Sequence, residues 1–238
     1  MTDIVLATSN PHKVEEMNAI FASLCPAQIR FVALRDAAGD SRLTEPVEVG
    51  TTFEANATIK ALSYAAQTGM PCLADDSGLE IDALGGRPGV ISSHYCTQGQ
   101  EVGMSREERD RANNAKVLAE LSHVQDEHRR ARFVCVMALA QPTVPNVVGG
   151  VSPLITEHSA APLLHAQMKI LVRGTFEGRI AREPHGLGGF GYDPLFLVAP
   201  DFAVSSAQLP PAEKNRLSHR GAAARLLIPQ LAPFLLAP

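Results

Sequence analysis

The sequence predicts an α/β fold, and three observations carry that prediction. Apolar runs of strand length recur along the chain, such as Ile4-Val5-Leu6-Ala7 and Cys72-Leu73-Ala74. Between them lie segments whose apolar residues repeat at helical spacing. Gly, Pro, Asn and Asp residues punctuate the boundaries between the two. Strands mixed with helices in this way build a sheet covered by helices. The 238 residues are 45% hydrophobic and 19% charged, which fits a single domain over residues 1–238, or two intimate lobes of one, with a core of its own, and does not point to a disordered chain.

Ile4–Ala7 reads as a buried strand. Asn10 then supplies an N-cap and Pro11 a first helical residue, and Val14, Met17, Phe21 and Leu24 line one face of the helix. Residues 29–34 read as a second strand and 36–50 as a loop. The next helix is expected from about Thr52 to Gln67, with Thr51 and Glu54 at capping-box spacing. Ala55, Ile59, Leu62 and Ala66 form its apolar stripe. Gly69-Met70-Pro71 stops it, and a strand at 72–74 leads into Asp75-Asp76-Ser77-Gly78. Ser105 and Glu108 set a capping box for a helix ending near Leu121. Strands are expected at 132–140, 168–173 and 195–198, and Ser218 caps a last helix through Leu227. Residues 141–166, rich in Pro, Gly and small side chains, read as a surface insertion.

The formal net charge of -4 carries no basic excess, so nothing supports a nucleic acid polymer as partner. A small anion needs only a local cluster of Lys and Arg. Cys25, Cys72, Cys96 and Cys135 form no C-x-x-C pair and have no zinc spacing, and read as free thiols of a reducing compartment. The first residues lack a basic signal-peptide region. The apolar stretch from Leu226 is broken by Pro229 and Pro233 and is too short to span a bilayer. A cytoplasmic protein without membrane contact is expected.

Four constellations can carry chemistry. Thr8-Ser9-Asn10-Pro11-His12-Lys13 sits between a strand and a helix N-terminus, where free N–H groups and the helix dipole favour an anion; the plainer reading is a cap and a surface lysine. In Asp75-Asp76-Ser77-Gly78 two adjacent carboxylates repel unless a cation compensates, and magnesium is the hard ion that would do so; an Asp-Ser-Gly turn is the alternative. Glu45 and Glu48 recur in a loop that by itself reads as solvated and acidic, and Asn56 and Lys60 lie four apart on the second helix, off its apolar stripe, facing a cleft or water. Gly186-Leu187-Gly188-Gly189-Phe190-Gly191-Tyr192-Asp193 matches G-x-G-x-x-G but lacks the strand before and the helix after that a dinucleotide fold requires. It suits a base pocket better, with Phe190 stacking on a purine and Asp193 accepting from a base N–H; a glycine-rich hairpin is the plainer reading. Finally, Lys214-Asn215-Arg216-Leu217-Ser218-His219-Arg220-Gly221 gathers groups that recognise phosphate or a base carbonyl, or else forms a solvated basic face. The chain has no P-loop, serine-hydrolase elbow or zincin segment.

In this order, these segments resemble the inosine triphosphate pyrophosphatases, also described as XTP/dITP diphosphohydrolases. Thr8-Ser9-Asn10-x-x-Lys13 is similar to the family's opening phosphate loop. Glu45-x-x-Glu48-x-Gly50, Asn56-Ala57-x-x-Lys60, Ala74-Asp75-Asp76-Ser77-Gly78, Gly188-Gly189-Phe190-Gly191-Tyr192-Asp193-Pro194 and Ser218-His219-Arg220-Gly221 follow as in the family. The resemblance spans nearly the whole chain. It implies an elongated mixed sheet with flanking helices, two lobes around a central cleft, and a homodimer. It also implies hydrolysis of ITP, dITP and XTP to the monophosphate and pyrophosphate with Mg2+. Asp76 matches the catalytic carboxylate, with Asp75 beside it, and Asp76 and Glu48 match the metal site. Residues 8–13, Lys60, Ser77, Phe190, Gly191, Tyr192, Asp193, Lys214, His219 and Arg220 match substrate contacts. The chain departs from the family at Ala55, where Glu is usual, at His94, within a commonly Ser-Ala-Arg-Tyr run, and in the longer 141–166 segment. Related pyrophosphatases of modified pyrimidine nucleotides and a nucleotide-binding regulator without turnover are the competing readings.

Overall fold

The computed structural model describes residues 1–25, 27–39, 42–143 and 165–232. Most of the 141–166 insertion therefore lies outside the described residues, and its two ends are strand.

Strand β1 (Thr2–Leu6) leads into helix α1 (Pro11–Leu24), and β2 (Ile29–Ala33) returns parallel to β1. A short helix α2 (Leu34–Ala38) follows, overlapping a segment expected to be loop; five residues show no periodicity to a sequence reader. Helix α3 (Phe53–Thr68) and strand β3 (Cys72–Ile81) come next. A 3-10 stretch at Gly89–Thr97 precedes α4 (Arg106–Glu120). Strands β4 (Arg130–Thr143) and β5 (His165–Ile180) pair antiparallel, and β6 (Phe196–Val198) closes the edge. Helices α5 (Pro211–Leu217) and α6 (His219–Leu227) finish the fold; α5 was not foreseen. The six strands form one mixed sheet in the order β2-β1-β3-β4-β5-β6.

β3, β4 and β5 run past their expected bounds for the same reason: pairing outweighs local preference. β3 does not end at Ala74. It continues through the Asp-Asp-Ser-Gly segment to Ile81, because β4 pairs with it residue by residue from Cys72↔Ala140 to Ile81↔Ala131. β5 runs well beyond 168–173; apart from Leu171 its exposed residues are polar, and Gly174 and Gly178 interrupt its apolar face. Leu195 belongs to the turn before β6.

The helix faces are shifted too. In α1 the buried residues are Glu16, Met17, Ile20 and Phe21, while Val14 is half-buried and Leu24 is exposed. In α3 the buried set is Phe53, Asn56, Ala57, Ala61, Tyr64 and Ala65, and the expected stripe is only half-buried. One residue of helix is about 100° of rotation, so a stripe misplaced by one or two positions names the wrong face. Thr52, not Thr51, caps α3 by accepting from the Ala55 N–H at 3.2 Å. The Ser105–Glu108 capping box and the Ser218 cap on α6 are present as expected.

The sheet is buried on both faces. Ile4, Leu6, Leu73, Cys135, Met137, Leu139 and Ile170 pack under α1 and α6. Val5, Ala7, Cys72, Ala74, Val134, Val136 and Ala138 pack under α3. A third cluster around Leu79, Ile81, Tyr95, Val117, Phe133 and Phe196 joins the far ends of β3–β5 to α4. Where α6 crosses β5, Gly174 permits the contact: a Cβ there would stand 2.3 Å from the Ala223 N and 2.4 Å from the His219 O.

Candidate active site

The cleft opens where the sheet divides. β1 pairs with β3 only at Val5↔Cys72 and Leu6↔Leu73. Beyond Leu73, β3 continues on its β4 side alone, and its other edge faces a cavity of about 330 Å³. In open α/β sheets ligands settle at such a divergence of strands.

Asp75 and Asp76 therefore lie inside a strand rather than at its end. Consecutive strand residues point to opposite faces, so the two carboxylates are addressed by different helices. Asp75 faces α1 and α6: Lys13 Nζ is 3.0 Å and Arg220 Nη2 is 3.4 Å from its Oδ2. Arg220 also donates to Glu16 Oε2 at 2.8 Å and to Ser77 Oγ at 2.7 Å. Asp76 faces α3: Lys60 Nζ lies 2.9 Å from its Oδ1 and 3.1 Å from Glu48 Oε2. One oxygen of each aspartate, Asp75 Oδ1 and Asp76 Oδ2, is buried without a hydrogen-bond partner among the described residues.

These surroundings drive the two pKa values apart. Burial pushes the Asp75 carboxyl up, but Lys13, Arg220 and Lys60 outweigh it and hold it well below the usual carboxylate range. Burial also pushes Asp76 up, and here Lys60 and Lys13 do not overcome it, with Glu48 adding repulsion, so Asp76 is raised. Burial lowers Lys60, yet Asp76, Asp75 and Glu48 raise it overall, so it stays charged. Neighbouring carboxylates pushed in opposite directions are an arrangement for dividing ionised and proton-accepting roles.

The segment at 8–13 forms one wall. Asn10 Oδ1 caps α1, accepting from the His12 N–H at 3.1 Å and the Lys13 N–H at 3.4 Å, and Thr8 Oγ1 accepts from the Asn10 N–H at 3.2 Å. Thr8, Ser9, Asn10 and Lys13 line the cleft; Pro11 starts the helix and the His12 ring stacks on Phe190 with centroids 5.6 Å apart.

The glycine loop forms the opposite wall. Asp193 Oδ2 accepts from the Phe190 N–H at 2.9 Å and from Lys214 Nζ at 2.7 Å, and Oδ1 accepts from Ser206 Oγ at 2.9 Å. Its carboxylate thus shapes the loop and positions Lys214. The Gly191 N–H donates to Asp110 Oδ2 at 2.9 Å, and Asn114 Nδ2 donates to the Gly191 O at 3.0 Å. Tyr192 lines the cleft while its OH donates to the Ser92 O at 2.7 Å. His219 is buried against Phe133, with ring centroids 5.1 Å apart. Burial, then Arg220 and Lys214, lower its pKa far enough to keep the imidazole neutral. Its Nδ1 and the Arg220 Nε are buried without partners among the described residues.

The structure thus gathers every sequence-predicted site residue in the lining of one cleft except Pro11 and His12, which are exposed on the first turn of α1, with His12 stacked on Phe190. Glu16, Arg106, Asp110 and Asn114 were missed. Glu16 carried a signal, a carboxylate beside Met17 on the helix face that must be buried, and Asn114 falls in Asn113-Asn114-Ala115-Lys116, which also resembles the family; Arg106 and Asp110 carried none, since their part depends on a contact between distant segments. Glu54 pairs with Arg173 at 2.8 Å and does not line the cleft, so it does not stand in for the glutamate absent at Ala55. His94 lines the cleft and lies 3.0 Å from Glu101. The four cysteines are free, with Cys72 and Cys135 buried and the other two half-buried. No helix among the described residues is long and apolar enough to cross a membrane.

Charge is balanced in the lining. Lys13, Lys60, Arg106, Arg109, Lys214 and Arg220 face Glu45, Glu48, Asp75, Asp76, Asp110 and Asp193. Six cations against six carboxylates leave the lining without net positive charge, so a polyphosphate must bring or find a counter-cation. Among the described residues no three His, Cys, Asp or Glu side chains converge as a metal cage.

The Ham1 family matches residues 4–230. The dITP/XTP pyrophosphatase of Nocardia farcinica is 42% identical over 234 residues, covering 98% of this chain and 96% of that one. That of Pseudomonas aeruginosa is 40% identical, covering 95% of each. Among solved structures, a HAM1 protein from Coxiella burnetii superposes with a TM-score of 0.71 at 38% identity, covering 98% of this chain and 100% of that chain. A nucleoside-triphosphatase, dITP/XTP pyrophosphatase, from Mycobacterium abscessus gives 0.64 at 35% identity, covering 97% and 100%. With its fold and nearly its full length in common with these proteins, the chain belongs to the Ham1 family.

Proposed function

We propose that this chain hydrolyses the non-standard purine nucleoside triphosphates ITP, dITP and XTP to the monophosphate and pyrophosphate, clearing them from the nucleotide pool. The observation that carries the reading is the pair Asp75–Asp76: two neighbouring carboxylates on opposite faces of one strand, each on its own lysine, beside a capped helix N-terminus.

Asp76, with its raised pKa and an Oδ2 that has no partner among the described residues, is the group suited to accept a proton from an attacking water. Asp75 stays ionised and holds Lys13 and Arg220 in place. Lys13, Lys60 and the free N–H groups at the start of α1 offset charge on the phosphates and on the leaving pyrophosphate. At the other end Phe190 offers a stacking face for the base. His219 Nδ1 and Arg220 Nε can donate to the 6-keto oxygen, which ITP and XTP have and ATP lacks. Asp193 keeps Lys214 at that end of the cleft.

A divalent cation fits the donor set. Magnesium takes one or two carboxylates and completes its shell with water and phosphate oxygens, and Asp76 and Glu48 meet through Lys60 with an Asp76 oxygen unpartnered. When bound it would neutralise phosphate charge that the balanced lining cannot. We read the working unit as a cytoplasmic homodimer and the chain as one two-lobed domain.

Pyrophosphate release from ITP, XTP, dITP, ATP, GTP and dTTP, with and without magnesium, tests the reading. Metal-dependent release confined to the first three is expected. Release mainly from dTTP would assign the site to modified pyrimidines, and ITP binding without release would make the chain a regulator.

A further inference from the structure

One cation of the cleft remains over when the others are paired. Lys13, Lys60, Arg109, Lys214 and Arg220 each have a carboxylate oxygen within ion-pair distance; Arg106, among the described residues, has none. The nearby carboxylate, Asp110, gives its Oδ2 to the Gly191 N–H. Arg106 is half-buried, and its Nε is enclosed without a hydrogen-bond partner among the described residues. A guanidinium withdrawn from water with no counter-anion is unfavourable on its own. Such an arrangement suits a place where an anion arrives.

The position of the side chain says which anion. Arg106 is the first residue of α4, fixed by the Ser105–Glu108 capping box. It reaches across the cleft to donate from Nη1 to Asn10 Oδ1 at 2.8 Å. That oxygen is the one capping α1, so the guanidinium stands over the helix N-terminus that receives phosphate. Its planar fork keeps further N–H donors and matches phosphate oxygens. Its other neighbour is the Phe190 ring, 5.1 Å from the guanidinium carbon.

From this we infer that Arg106 is a further substrate-binding residue, which donates to a phosphate oxygen of the bound triphosphate and closes the cleft from the α4 side. The inference rests on the triphosphate reading above for its ligand, but not on turnover. Lys13 and Lys60 remain bound to Asp75 and Asp76, whereas Arg106 has only a neutral amide to exchange for the phosphate.

The test is calorimetric titration of the whole protein with inorganic tripolyphosphate, for wild type, Arg106→Gln and Arg106→Lys, beside steady-state kinetics on ITP. A charge-assisted hydrogen bond predicts that Arg106→Gln weakens tripolyphosphate about tenfold to a hundredfold. KM for ITP should rise with it while kcat changes little, and Arg106→Lys should recover part of the affinity. Lysine keeps the charge and the stem, so it serves if the glutamine variant does not fold. Unchanged tripolyphosphate affinity in both variants overturns the inference, and if KM for ITP rises all the same, Arg106 acts on the base. Arg106-dependent tripolyphosphate binding without pyrophosphate release from any nucleotide would uphold Arg106 and sink the hydrolytic reading alone.

Discussion

Gly174→Ala is the substitution that connects packing to catalysis most directly. Gly174 lies in β5 opposite Cys135, where α6 crosses the sheet. A methyl group there would meet the Ala223 N at 2.3 Å and the His219 O at 2.4 Å, both backbone atoms that no rotamer change can move. Ordinary contact begins at 3.4 Å, so α6 must retreat by about 1.1 Å, the difference of the two distances. Overpacking of this kind costs about 1–3 kcal/mol, less the ~0.4–1 kcal/mol that alanine gains through the unfolded chain. The larger effect falls on chemistry. α6 carries His219 and Arg220, and Arg220 reaches Asp75 at only 3.4 Å, so the displacement breaks that pair. A misplacement of about 1 Å can lower turnover by about a hundredfold. Urea unfolding gives the stability change and kcat/KM on ITP gives the other; the expected result is a small loss of the first and a large loss of the second. A variant with near-native kcat/KM would refute the claim that α6 is held in register by the missing side chain.

Other outcomes follow from the same site. Asp76→Asn keeps the shape and removes the proton acceptor, so pyrophosphate release from ITP should fall by about 10²–10⁴-fold with an unchanged far-ultraviolet circular dichroism spectrum; near-native turnover would sink the assignment. For Asp75 the folded pKa is depressed, so its ionisation contributes stability in full above its unfolded value of about 3.9 and loses it as pH falls through the lower folded value. Urea midpoints measured at pH 6 and pH 3 should differ less in Asp75→Asn than in wild type, and an equal difference would show that other groups govern the acid limb.

The sequence made most of the fold legible where local signals were strong. Asn10-Pro11, the Ser105–Glu108 box and Ser218 each mark a helix start that the structure keeps, because a cap is satisfied within its own turn. The errors fall where distant segments decide. Asp75-Asp76-Ser77-Gly78 has the composition of a turn, and only the β4 partner across the ladder makes it strand. Lys60 could be placed on α3 but not aimed, since facing cleft or water depends on which stripe is buried, and the stripe was read about a residue off. Asp193 reads as a free acceptor for a base, yet Lys214 and Ser206 reach it from later in the chain. Short motifs thus reveal which side chains matter, while their orientation belongs to the tertiary structure.

The alternation of Asp75 and Asp76 across the sheet also sets what kinds of genetic change the chain can absorb. Slipping β3 by one residue would turn every side chain to the other face, bringing Asp76 under Lys13 and Arg220 and sending Asp75 toward Lys60. The ionised and the proton-accepting partner would trade environments although the composition stayed nearly the same. Within 72–81, replacing one apolar residue by another of like volume should therefore be borne far better than a single-codon deletion. Variation among homologous genes here should be confined to letters and never to length.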